Sequence, residues 1–290
     1  MYEKRKLVWS PVQTDRHGQF RTFTITDSVG EWEVRIIPKG DFVMGSPPTE
    51  AGRFADEGPC RKVTITESFG LMARPVDWAL WHALTEEIAP SWLGPSPELH
   101  PVTARSYREV RKAITWLRSF EGGWCSRLPT EAEWEYACRA GTATATYAGD
   151  LTLEVHTDDN GHTLTGDYAP ELKNIATYGY GYFDRENSRQ LPFGLKDPNP
   201  WGLLDMLGGV WEFCAGRYSP YATLLDKVVD PYVPYISNST VDTTNNRVAR
   251  GGSFVDPARW CRAAARADYS ANEAYPSLGF RLAFTMPELR

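Results

Sequence analysis

The sequence predicts an α+β domain in which regular elements are short and irregular connections long. Three observations carry this. Alternating apolar and polar residues mark strands between residues 21 and 66, three stretches between 77 and 141 have helical spacing, and residues 142–200 and 216–246 show almost no period. Composition agrees. The 290 residues include 11 Trp, 14 Tyr, 21 Pro and 24 Gly, so large aromatic anchors alternate with many turns.

Arg21-Thr-Phe-Thr-Ile-Thr26 and Trp32-Glu-Val-Arg-Ile-Ile37 each alternate with period two around the turn Asp27–Gly30, which reads as a β-hairpin. Pro38–Ser46 is a turn and short strand, 47–60 a polar loop, and Arg61–Thr66 another strand. Asp77 is placed to cap a helix through Trp78, Leu80, Trp81, Leu84 and Ile88, broken by Pro90. Thr103–Phe120 carries the clearest helical stripe: Tyr107, Val110, Ile114, Leu117 and Phe120. Thr130 and Glu133 form a capping box for a third helix that ends at Gly141, with Trp134 and Cys138 turned to the core. No linker or repeat divides the chain. The expected organisation is an N-terminal extension, residues 1–30, that begins the hairpin, followed by one domain over 31–290.

A net charge of −6 argues against nonspecific nucleic-acid binding, which needs clustered positive charge. No apolar run approaches the ~20 residues of a membrane span. Met1–Leu7 is charged with no apolar run behind it, so no signal peptide is read. Five scattered cysteines (60, 125, 138, 214, 261) suit neither a disulfide framework nor a paired-cysteine metal site, and reduced thiols of a cytoplasmic protein are expected.

The most distinctive stretch runs from Arg250-Gly-Gly-Ser-Phe254 to Leu278-Gly-Phe-Arg281. The paired glycines permit a sharp turn or close packing. Small and basic residues alternate over 262–266, followed by a polar and aromatic run without period, 267–277, and a closing strand. A fixed frame around an irregular stretch is how a scaffold presents a site.

Taken together, Phe42-Val-Met-Gly-Ser46, Leu128-Pro-Thr-Glu-Ala-Glu-Trp-Glu-Tyr136, Trp201-Gly-Leu-Leu-Asp-Met206 with Val210-Trp-Glu212, and the 250–281 frame resemble the formylglycine-generating-enzyme (sulfatase-modifying factor) family, in order, over about residues 31–284. The resemblance implies a C-type-lectin-like fold with a small mixed sheet, two or three helices and much irregular structure. Fold alone does not decide function. Catalytic members of the family oxidise a substrate cysteine with copper held by two cysteines inside the frame. Here that interval holds Cys261 alone, out of register with either, and two thiolates are what Cu(I) needs. No copper is expected, and Cys261 reads as a small packed residue. A second branch, the iron-dependent sulfoxide synthases, needs several histidines. His17, His82, His100, His156 and His162 show no helical pairing, and that branch's extra domain is missing.

A third branch, the non-catalytic variable proteins of diversity-generating retroelements, matches the register of Cys261, Arg262, Ala264 and Arg266 and of Leu278–Arg281. That similarity implies a ligand-binding display protein, cytoplasmic or phage-associated, with a protein or cell-surface partner. The displayed positions would be Val255, Asp256, Trp260, Ala265, Ala267, Asp268, Tyr269, Ser270, Glu273, Tyr275 and Ser277, rimmed by tyrosines of 178–182 and 218–235. Trp260 and Glu273 depart from the adenine-derived codons of that branch. Tyrosine and serine also suit adaptable binding surfaces. The alternative is an enzyme of the same family, a metal-dependent oxidase with an unrecognised site. The resemblance further implies structural calcium held by Asp205, the carbonyls of Gly208 and Val210, and Glu212, a hard oxygen set. Gly209 stands where the family usually has Asn.

Overall fold

The structure, a computed structural model, describes residues 7–26, 28, 30–117, 124–157, 163–179, 192, 194–221, 227–231 and 246–286. Its main sheet has seven strands. Along its path lie Leu7–Trp9, Gly18–Ile25, Trp32–Ile37, Phe69–Met72, Ala283–Thr285 and Cys125–Arg127, with Gln13–Asp15 paired to Gly18–Ile25. The predicted hairpin is present, with Phe23 opposite Trp32. Residues 7–25 belong to this sheet, and Leu7, Phe23 and Ile25 are buried in its core. The division expected at residue 30 therefore falls inside one sheet.

Alternation along the strands buries both faces. Phe69, Leu71 and Ala283 point into one apolar cluster; Met72 and Phe284 point into the other. Three helices cover these faces. The first, α1, is Trp78–Thr85; Asp77 caps it by accepting the Leu80 N–H at 2.7 Å. It ends before Ile88 because Glu86 adopts a left-handed φ of 64°. The second, α2, is Tyr107–Leu117 and starts later than Thr103, after Ala104 turns the chain at φ 55°. The third, α3, is Glu131–Arg139, with the predicted capping box formed and Ala140, one residue before Gly141, closing it at φ 45°. α1 and α2 pack on the Phe284 side, α3 on the Leu71 side. Trp134 and Cys138 are fully buried, as expected.

The remaining strands form further small sheets, some of them mixed. A four-stranded sheet runs Arg266–Ser270, Asn246–Arg250, Trp211–Arg217 and Leu278–Gly279, the last pairing being parallel. A three-stranded sheet joins Lys227–Val229, Arg61–Ile65 and Gly40–Met44. The stretch read as aperiodic, 142–200, contains a hairpin of Glu154–Thr157 and Thr163–Tyr168 and a parallel pair, Ala176–Thr177 with Leu207–Gly208. These strands are short and mostly polar, and one pairing slips between Thr165 and Tyr168, so no alternation marks them. No helix among the described residues is long and apolar enough to cross a membrane.

Candidate binding surface

Four arginines build the frame beneath the surface, and all are essentially fully buried. A guanidinium in that environment requires a complete set of acceptors. Arg262 donates to Glu57 and Glu50 and to the Gly52 carbonyl. Arg266 donates to both Glu131 oxygens and to the carbonyls of Asp56 and Ser219. Arg250 reaches Glu131, Glu135, the Tyr221 hydroxyl and the carbonyls of Ala263 and Ala265. Arg281 closes the set on Glu212 and on the carbonyls of Met72 and Leu204. Arg250, Arg262, Arg266 and Arg281 are thus all tied down by carboxylates and carbonyls. Burial pushes the Glu131 carboxyl up, but Arg266 and Arg250 outweigh it and hold the group at about 2.

The glycines of the frame allow close approach. Gly252 sits at φ 77°, and a Cβ there would lie 3.0 Å from the Trp260 carbonyl. At Gly279 a Cβ would lie 2.7 Å from the Val102 carbonyl, and Phe280 beside it is core.

On this frame five rings form a continuous row. Phe54 stacks on Trp260 with centroids 4.1 Å apart, and Trp260 meets Trp211 edge-on at 5.6 Å. Trp211 lies 6.2 Å from Tyr269, which contacts Tyr275 at 4.7 Å. Trp211 is buried and anchors the row; the other four rings are half-buried. Of the predicted displayed residues, Asp268 and Glu273 are exposed, and Val255, Asp256, Trp260, Ala267, Tyr269, Ser270, Tyr275 and Ser277 are half-buried. The arrangement brings Trp260, Tyr269 and Tyr275 together, with Ser277 bonded to Tyr269 and Glu273 accepting from the Tyr275 hydroxyl. Asn246 reaches in to donate to Asp268 at 2.6 Å.

Ala265 departs from the expectation. It is fully buried, and its carbonyl accepts from Arg250, which ties this part of the stretch to the frame. Asp256 is not free for a ligand either. It accepts the Trp211 indole N–H at 2.7 Å and the Ser253 hydroxyl, and burial raises its carboxyl above the ordinary value. Tyr221 is 1% exposed and belongs to the arginine frame, not to a rim. Tyr180, Tyr182, Tyr232 and Tyr235 lie outside the described residues. Phe54 was missed. It is one aromatic in a polar loop, which distant bonds bring to Trp260: the ion pairs of Glu50 and Glu57 with Arg262, and the Gly52 and Asp56 carbonyls accepting from Arg262 and Arg266. Cys261 is fully buried against Gly252, and burial pushes its thiol well above the ordinary value.

In the 205–212 loop Asp205, Gly208 and Gly209 all take left-handed φ, the conformation that Asn or Gly accepts most readily. Asp205 accepts the Gly194 N–H at 2.9 Å, and burial, with the Glu212 charge adding to it, raises its carboxyl. Glu212 receives three hydrogen bonds, two from Arg281 and one from the Trp134 indole. An ionised carboxylate offers about four lone-pair sites, so both side chains retain acceptor capacity. Among the described residues no group of three or more His, Cys, Asp or Glu could hold a metal, so any ion here would depend on carbonyls as well.

Residues 26–286 match the sulfatase-modifying factor enzyme 1-like domain. The formylglycine-generating enzyme of Mycobacterium tuberculosis is 33% identical over 192 residues, an alignment covering 63% of this chain and 56% of that protein. The chain thus spans about half the length of that relative. The structure of PvdO from Pseudomonas aeruginosa superposes with a TM-score of 0.66 at 23% identity, covering 88% of this chain and 94% of the other. Treponema denticola variable protein 1 gives 0.66 at 21% identity, covering 91% and 98%. At these identities the two structures establish the fold, which is α+β and C-type-lectin-like.

Proposed function

The chain belongs to the sulfatase-modifying factor enzyme 1-like family, and from that premise we propose that it is a ligand-binding member that does not oxidise thiols. The observation that supports this reading is the ring row Phe54, Trp260, Trp211, Tyr269 and Tyr275, held on a buried arginine frame. Rigid aromatics with few rotatable bonds bury much area at low entropic cost, and they dominate protein recognition surfaces. The partner is then a protein or a cell-surface ligand that covers the row and meets Asp268 and Glu273 at its edge. The family's oxidative chemistry requires a thiolate pair, and Cys261 is the one cysteine between Gly252 and Leu278. Its buried, protonated thiol is a poor Cu(I) ligand.

The test is direct. The protein is incubated with Cu(I) and a cysteine-containing peptide while oxygen uptake is followed. No uptake above the copper-only rate is expected, and no stoichiometric Cu(I) binding. Copper binding that disappears in Cys261→Ala would overturn the reading and favour the oxidase alternative.

Structural calcium belongs to the same proposal. Asp205 and Glu212, with the carbonyls of Gly208 and Val210, would hold the ion, whose charge would oppose the Glu212 repulsion that helps raise the Asp205 carboxyl. A ligand that binds only the folded state stabilises it, so a calcium chelator is expected to lower Tm by several degrees and added calcium to restore it. An unchanged Tm would remove calcium from the account.

A further inference from the structure

Arg61 opens the strand Arg61–Ile65 between two exposed residues, Cys60 and Lys62, yet it is itself only 6% exposed. Its side chain lies against the arginine frame. The Tyr221 ring covers the guanidinium at 4.1 Å, and Nη2 meets the Met44 sulfur at 3.4 Å. Nε and Nη1 are buried, and among the described residues neither has a hydrogen-bond partner. The neighbouring guanidiniums are bonded quite differently. Arg139 donates to Glu135, Arg266 to Glu131, and Arg250 to both of these carboxylates. Among the described residues Arg61 bonds to no carboxylate.

The charges around it do not balance. Arg61, Arg139, Arg250 and Arg266 share the two carboxylates of Glu131 and Glu135. Tyr221 supplies no negative charge, because burial pushes its phenol well above the ordinary value. Beside them Arg262 has two carboxylates, Glu50 and Glu57, and the half-buried Arg53 and Asp56 cancel in charge. One positive charge is therefore in excess among the described residues of this cluster. Burial works against the charge at every buried arginine. At Arg139 and Arg266 the carboxylates outweigh it and raise the pKa, whereas at Arg61 burial prevails and lowers it. An arginine does not shed its proton, and a buried charge without a counter-charge is costly. Water would satisfy the N–H groups and leave the charge in place. We propose that Arg61 holds a monovalent anion of chloride size in the plane of its guanidinium, where its unpartnered N–H groups point. The size follows from the surroundings, since the Tyr221 ring and the Met44 sulfur already close against the group. Exposed Cys60 and Lys62 on either side keep the site close beneath the surface.

Thermal unfolding of the full chain at neutral pH tests this, with sodium chloride exchanged stepwise for sodium gluconate at constant ionic strength. An ion bound only by the folded state is expected to raise Tm by about 3 °C for each tenfold rise in chloride above its Kd. Bromide should act in the same way. Arg61→Met keeps an apolar side chain of similar reach and removes the charge, and it should abolish the halide dependence. In wild-type crystals grown from bromide, anomalous scattering should place the ion beside Arg61, so the question is decided even where the variant does not fold. A wild-type Tm indifferent to chloride overturns the proposal, because the charge is then met from within the chain. Halide dependence that persists in Arg61→Met, or bromide absent from Arg61 in the crystals, overturns it equally.

Discussion

Replacing Glu131 with glutamine is expected to destabilise the protein by ~3–5 kcal/mol, because Arg266 would be left buried with a neutral partner and Arg250 with Glu135 as its one remaining carboxylate. At ~2 °C per kcal/mol for a chain of this size, Tm should fall by roughly 6–10 °C. The pH dependence identifies the cause. Glu131 lies at about 2 in the folded protein against an ordinary 4.5. A carboxyl lowered in this way contributes its full stability above the unfolded value, and the contribution is lost as pH falls toward the folded value. The stability gap between wild type and Glu131→Gln should therefore be full at about pH 6 and shrink steadily below about pH 4.5. Glu50, Asp77, Asp205 and Asp256 are all raised, so their contributions run the opposite way, but they cancel in the difference between two chains that share them. A gap that stays constant down to about pH 3 would mean that the loss is one of packing and not of charge.

The second large effect concerns recognition. Phe54→Ala, Trp260→Ala and Tyr275→Ala combined should weaken a ligand selected from a displayed random-peptide library at least ~100-fold, since hot-spot aromatics are worth ~2 kcal/mol or more each. Far-ultraviolet circular dichroism should be unchanged and Tm lowered by only a few degrees, because these rings are half-exposed. Asp256 is left in place, as it anchors the Trp211 indole. Binding that survives the triple change would mean that another face of the molecule is used. Phenylalanine at Trp260 should restore part of the affinity, which a collapsed surface would not allow.

Much of the fold could be read directly from local patterns. Trp32, Val34 and Ile36 alternate because that face of their strand meets one core cluster, and Thr130 with Glu133 announces α3 through bonds made within four residues. The fixed arginines could be read as a frame because their spacing resembles a known family. What stayed hidden depends on partners far away in sequence. Nothing near Phe54 indicates a ring over Trp260, and nothing near Tyr221 indicates a hydroxyl donated to from Arg250. The register of the variable-protein resemblance placed Ala265 among the displayed positions, and nothing nearby in sequence shows that it is buried with its carbonyl on Arg250. The Glu154–Tyr168 hairpin was missed because its strands are polar and its register slips.

The arginine frame also sets an order of events during synthesis. Arg262 pairs with Glu57, 205 residues earlier; Arg266 with Glu131, 135 earlier; Arg281 with Glu212, 69 earlier. As the chain leaves the ribosome, each of these carboxylates emerges long before the cation that makes its burial tolerable. The main sheet has the same requirement, since Ala283–Thr285 sits between Phe69–Met72 and Cys125–Arg127. Contacts of this span form late and carry a large loop-closure cost. The nascent chain must therefore remain open, with its apolar strands exposed, until the region around residue 285 has been released. Folding of this domain then waits on the release of that region, and protection by chaperones matters most during that interval.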